Sequence, residues 1–236
     1  MQRMMQMKLV PFHGVILLEK AENLSSVDGT VQTVLCAMAA EAFLQDIKSY
    51  YQSILKLRPN LPKATLFGRA SSTTYSGGGI VLPGTQSMEY VQIDERKLEV
   101  LIESLEKESP SKKYEQVIRF LNYKWKGGED ESFKNLRRLI TIRNNMVHIK
   151  SDEINLNESN EITEHSKVLK ELINSKVIEN SSQVNSWIDL LDTESFVKWA
   201  RETVISNMKT VLDLLPDCPI SNYFKDSYLR SINTFN

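Results

Sequence analysis

Residues 131–150 read ESFKNLRRLITIRNNMVHIK, and their pattern sets both the fold class and the functional expectation. On a wheel at about 100° per residue, Phe133, Leu136, Leu139, Ile140, Met146 and Val147 fall in one continuous apolar arc. Such a stripe is predicted to pack on a core, with the helix running from about Glu131 to Lys150. Arg143 falls inside the arc, where a guanidinium is costly unless it meets a carboxylate, a phosphate or a water-filled cleft. Along the edge of the arc Arg137, Thr141, Asn144 and His148 follow one another at spacings of four, three and four, as a single polar ridge.

Helical spacing recurs on either side. From about Val27 to Leu57 the apolar positions Val31, Leu35, Met38, Phe43, Ile47, Tyr51 and Ile54 predict a long first helix, which Pro59 stops. Residues 58–91 hold three prolines and Gly77-Gly78-Gly79 among serines and threonines, and read as an irregular insertion loop. An antiparallel helical pair is predicted over Asp94–Lys107 and Lys113–Trp125, broken at Ser109-Pro110 and ended by Gly127-Gly128. Ser151–Glu161 is polar and reads as a loop, and weaker helical patterns cover Thr163–Lys176 and Val184–Leu191. Asp192-Thr193-Glu194 offers an N-cap to a strong helix ending near Leu215-Pro216. The tail, residues 217–236, carries Tyr223, Phe224, Tyr228 and Leu229 and is expected to dock as a last helix. Only the N-terminus through Leu18, with β-branched and aromatic residues, reads as a short strand or an irregular arm. The expectation is an all-α chain forming a single domain over residues 1–236.

Apolar residues make up 41% and charged residues 25%, ordinary globular usage that excludes a disordered chain. Lys and Arg number 29 against 30 Asp and Glu, so no global field draws the chain to nucleic acid or to an anionic membrane, and any such contact is local. Cys36 in an apolar run and Cys218 beside prolines read as a core residue and a surface thiol, which fits a reducing compartment. Pro11, His13 and Gly14 interrupt Leu9–Leu18, the longest candidate for a signal or membrane segment, so a cytoplasmic location is expected. His13 and His165 have no companions at ligand spacing, and no metal or cofactor is expected. Tyr75-Ser76-Gly77-Gly78-Gly79 lacks the Lys-Ser/Thr that completes a phosphate-binding loop. Trp187 and Trp199 read as packing residues, as does Trp125, for which stacking on a base is the alternative.

The chemistry gathers on residues 143–148. Asn144 and His148 are neighbours on one ridge, whereas Arg143 and His148 lie roughly 140° apart on an ideal helix. A second copy of the helix about a two-fold axis brings two arginines, two asparagines and two histidines to one cleft. Such a cleft suits a phosphodiester. Histidine exchanges protons near neutrality with a ribose 2′-hydroxyl or a leaving 5′-oxygen, arginine holds the charge developing on the phosphate, and Asn144 orients the imidazole or the nucleotide.

At Arg143, Asn144 and His148, preceded by Phe133-Lys134-Asn135-Leu136-Arg137-Arg138-Leu139-Ile140-Thr141-Ile142, the sequence resembles the HEPN superfamily. Its catalytic members carry Arg, a polar residue, and then His after a few further positions. The resemblance covers the helical body, not the N-terminal arm, the insertion or the tail. It implies a dimeric HEPN-like helical bundle that cleaves single-stranded RNA without metal or cofactor in toxin–antitoxin, abortive-infection or antiviral systems, where an antitoxin or sensor subunit is a further expected partner. An acidic residue on the first helix is matched by Glu41, the lone charge between Val34 and Leu44 and the expected partner of Arg143. Thr141 is a supporting candidate, and Arg137, Arg138 and Lys150 are candidate contacts for RNA phosphates. Lys150 also stands where one branch carries the tyrosine through which nucleotidylation silences its toxins, so that regulation is not implied.

The rival expectation is a non-catalytic module that holds a partner or nucleotide in the same groove, with Arg143 in a structural salt bridge and His148 capping a helix end. Neutral net charge and polar loops favour it.

Overall fold

The computed structural model describes residues 12–24, 28–57, 101, 105–106, 108–147, 166–179, 186–215, 217 and 219–233. Among them are seven α-helices and no strand: α1 (His13–Glu22), α2 (Gly29–Leu57), α3 (Pro110–Leu121), α4 (Glu131–Val147), α5 (Lys167–Asn174), α6 (Glu194–Leu214) and α7 (Pro219–Asn233). No described helix is long and apolar enough to cross a membrane.

The 29-residue α2 is the axis of the bundle, packed against α1, α3, α4 and α6. Cys36, Ala37, Ala39, Ala40, Phe43, Leu44, Ile47 and Tyr51 are all buried along it, a face made narrow by alanines so that neighbouring helices approach closely. Its first turn is capped from far along the chain. Thr30 donates both its backbone N–H (2.8 Å) and its hydroxyl (3.1 Å) to Asp192. The expected cap at residues 192–194 is therefore divided: Asp192 serves α2, while Thr193 accepts from Phe196 N at 3.3 Å and starts α6.

The reading of residues through Leu18 as a strand or arm is corrected where they are described, because His13–Leu18 lies within α1. Two tertiary contacts outweigh its β-branched character. Asp46 of α2, 1% exposed, accepts the first-turn N–H of Gly14 at 3.0 Å, and it also meets His13 Nδ1 at 3.3 Å and the Tyr228 hydroxyl of α7. Gly14 itself lies so close to α2 that an added Cβ would stand 3.1 Å from Ala39 O and 2.7 Å from the Tyr228 hydroxyl. Burial and the Asp46 carboxylate push the Tyr228 hydroxyl far above its ordinary range, so it stays protonated and donates.

Helix α3 begins with Pro110 at its first turn, as Ser109-Pro110 predicts, and ends at Leu121, short of the expected Trp125. Asn122 there turns extended after closing its N–H on Ile118 O at 2.7 Å. α5 falls inside the predicted 163–176 span. Of 184–191, the described residues show a short 3-10 turn at Asp189–Leu191. α6 and α7 occupy the predicted positions, with Phe224 and Tyr228 of the tail fully buried. The insertion at residues 58–91 lies outside the described residues, as does most of the predicted 94–107 helix, of which Leu101 and Leu105 are buried helical residues.

The main core joins α1, α2, α3, α6, α7 and the N-terminal half of α4. A second core gathers Ile142 and Met146 from the C-terminal half of α4 with Leu169, Leu172, Ile178, Leu190, Leu191 and Phe196. It corrects the predicted arc in two places. Ile142 is fully buried because α5 and the 189–191 turn cover its side of α4, and Val147, expected inside, is 55% exposed.

Replacing Asp46 by Ala is expected to destabilise the chain by about 3–5 kcal/mol in urea unfolding, since it leaves the Gly14 N–H and the Tyr228 hydroxyl without their acceptor. A loss under about 1 kcal/mol would show that these donors find other partners.

Candidate functional site

Arg143 emerges from α4 where the helix leaves the main core, and it meets Glu41 of α2 with Nη2 3.1 Å from Oε1. The expected pairing is present. Its cause lies in α2: over residues 34–44 Glu41 is the lone charge, and it faces a guanidinium that the apolar arc of α4 carries inward. The side chains are 23% and 32% exposed, so the pair sits at the rim of the bundle rather than in its interior.

The guanidinium is held but not saturated. Its Nη1 donates to Asn144 Oδ1 at 3.0 Å, while Nε, buried, has no hydrogen-bond partner. Glu41 Oε1 touches Arg143 off the donor axis, so the pair is an electrostatic contact and not the two-pronged bond that exhausts a guanidinium fork. Asn144 is exposed, and its amide nitrogen has no acceptor among the described residues. Arg143 and Asn144 thus present donors at one edge, beside a carboxylate that balances the charge.

Apolar side chains bracket this edge. Met38, one turn before Glu41, is 40% exposed, and Val147, one turn after Arg143, is 55% exposed. His148 and Lys150 lie outside the described residues. The fold thus joins Arg143, Asn144 and Glu41.

The remaining candidates divide clearly. Arg137 and Thr141 are exposed on the same ridge as Asn144, and the Thr141 hydroxyl donates to Arg137 O at 2.8 Å. Arg137 has no ion-pair partner among the described residues. Arg138 is engaged within the chain: Nε meets Glu171 at 2.8 Å, and Nη1 meets Glu131 at 2.7 Å and Asn135 at 2.6 Å. Those hydrogen bonds hold both carboxyls below their usual range and clamp α5 onto α4, so Arg138 has little charge left for a phosphate. Burial pushes the Cys36 thiol up to about 12, in keeping with its reading as core.

At the end of α3 the indole packs on the bundle, as expected, and the exposed aromatic is its neighbour Tyr123. Trp125 turns inward, its ring centroid 5.0 Å from that of Phe133 and its Nε1 donating to Asp130 at 2.9 Å, whereas Tyr123 stands 83% exposed. The signal in the sequence was Asp130, an acceptor placed to draw the indole in. Comparison of the chain with protein-family models, curated proteins and solved structures finds no match.

In a double-mutant cycle of Glu41→Gln and Arg143→Gln, urea unfolding is expected to give a coupling of about 1 kcal/mol, between that of a surface pair and that of a buried one. A coupling near zero would mean that the contact does not fix the guanidinium.

Proposed function

We propose that this chain is a HEPN-type endoribonuclease that cleaves single-stranded RNA without a metal, acting as a homodimer with a composite site at the interface. The observation that carries the reading is Arg143, tethered by Glu41 and Asn144 at a partly open edge with hydrogen-bonding capacity unspent. A guanidinium fixed in that way meets the equatorial oxygens of a phosphate with little reorganisation. Exposed Met38 and Val147 on either side supply apolar surface for a second copy.

In this mechanism the His148 imidazole of one protomer removes the proton from a ribose 2′-hydroxyl. The O2′ lone pair forms a bond to phosphorus, the phosphorus–O5′ bond breaks, and O5′ takes a proton from the imidazolium of the second protomer. The products are a 2′,3′-cyclic phosphate and a 5′-hydroxyl, so no water or metal-bound nucleophile is needed. Arg143 stabilises the pentavalent phosphorane, and Asn144 positions the phosphate or the base. A toxin–antitoxin or anti-phage setting, with an antitoxin or sensor subunit holding the activity in check, belongs to the same reading.

One observation favours a non-catalytic binding module instead: Glu41 already offsets the Arg143 charge, as a structural ion pair would. The assay that separates the two incubates the purified chain with single-stranded RNA and excess chelator. Cleavage with cyclic-phosphate ends is expected, along with a loss of at least about a hundredfold in His148→Ala and in Arg143→Ala with helix content unchanged. Cleavage that needs a metal, or that survives His148→Ala, rejects the mechanism, and intact RNA with the wild-type chain leaves the binding module.

A further inference from the structure

The turn between α3 and α4 presents an aromatic ring outward on a braced support. Trp125 N–H closes on Asn122 O at 3.0 Å, and Lys124 N–H donates to Asn122 Oδ1 at 3.2 Å, which sets Tyr123 and Lys124 at the tip of a four-residue turn. Trp125 anchors this turn beneath, edge-on to Phe133 and tied to Asp130, which also accepts from Phe133 N at 3.1 Å. Gly127 leaves room for that anchor, since a Cβ there would stand 2.5 Å from the indole ring and push it aside. On the tip, Tyr123 is 83% exposed, and Lys124 Nζ lies 5.6 Å from its ring centroid. Lys126, also exposed, has one long contact to Glu129, at 3.5 Å.

The position of the turn follows from the periodicity of α4. Phe133, Arg137, Thr141 and Asn144 fall within an arc of about 80° on an ideal helix. Because Trp125 packs on Phe133, the turn stands over the end of the ridge that leads past the exposed Arg137 to Asn144 and Arg143. From Phe133 to Asn144 is about 17 Å along the axis, which a few nucleotides of unstacked strand can follow.

We propose that Tyr123 is a stacking platform for a base of single-stranded RNA, with Lys124 and Lys126 on the adjoining phosphates, so that the strand runs along the Arg137 ridge toward Arg143. This rests on the reading of the chain as a ribonuclease and names the surface that would hold the substrate outside the cleavage site. A base presents a π-face whatever its identity, and stacking on an exposed ring flanked by cations needs no pocket. A protein partner fits less well. No other exposed large apolar residue lies among the described residues of the turn or of the first half of α4, and a protein interface is built on a contiguous apolar centre.

The test uses the full chain carrying His148→Ala, in chelator, with an end-labelled oligouridylate read by fluorescence anisotropy. Tyr123→Ala is expected to weaken binding by about five- to a hundredfold and Tyr123→Trp to retain it, while Lys124→Ala and Lys126→Ala each lower the salt slope by about one phosphate contact or less. Binding that is absent in the parent, or equal in Tyr123→Ala, overturns the proposal. If Tyr123→Ala instead changes the oligomeric state in sedimentation and leaves RNA affinity untouched, the ring serves a protein contact and the proposal also falls. Failure of the nuclease reading is seen separately, as intact RNA with the wild-type chain, whatever the anisotropy shows.

Discussion

An arginine on the apolar side of a helix needs a counter-charge, and among the described residues Glu41 gives it. Arg143 lies in the arc that α4 turns toward the bundle, and Glu41 is the lone charge on the stretch of α2 that faces it. Were α4 to rotate by one residue on α2, the guanidinium would lose its carboxylate while Ile142 and Met146 left the second core. The ion pair and the apolar contacts thus specify the same register. The contact at 3.1 Å is modest in energy because both side chains are partly exposed, and its value lies more in orientation than in stability.

Helix α2 carries two carboxylates with contrasting surroundings. Asp46 is buried and accepts from donors on α1 and α7, so its charge is consumed in joining three helices. Glu41, one turn and a half earlier, has Arg143 as its one cationic neighbour among the described residues and reaches solvent. A buried carboxylate with several donors is an anchor, and a rim carboxylate with one unsaturated arginine is part of a surface that can still bind. The same contrast separates Arg138, committed to Glu131 and Glu171, from Arg137, which is exposed and has no ion-pair partner among the described residues.

Long periodic segments were legible in the sequence because their apolar faces are continuous: α2, α4, α6 and the docked tail follow from spacing alone. The pairing of Glu41 with Arg143 was legible for a related reason, an isolated charge on each of two apolar faces. What escaped was decided by contacts distant in sequence. The helicity of His13–Leu18 depends on Asp46 and on the close approach at Gly14. Asp192 was a local cap in the sequence and is a remote one in the fold, since only the packing of α6 beside α2 brings it to Thr30. Val147 and Ile142 exchanged their expected roles because α5, a short and weakly patterned helix, covers one flank of α4 and not the other. His148 lies outside the described residues, so its part in the site rests on the sequence.

Under the proposed function Arg143 is tethered for chemistry on RNA and not only for holding two helices together. Exchanging the charges, with Glu41→Arg and Arg143→Glu in one chain, separates these roles, since the pair is restored in reverse while the cation leaves α4 and Asn144. Measured together, the thermal midpoint should recover toward wild type relative to either single variant, and RNA cleavage in chelator should stay abolished. Cleavage at the wild-type rate in the exchanged chain would contradict a role for Arg143 in the chemistry.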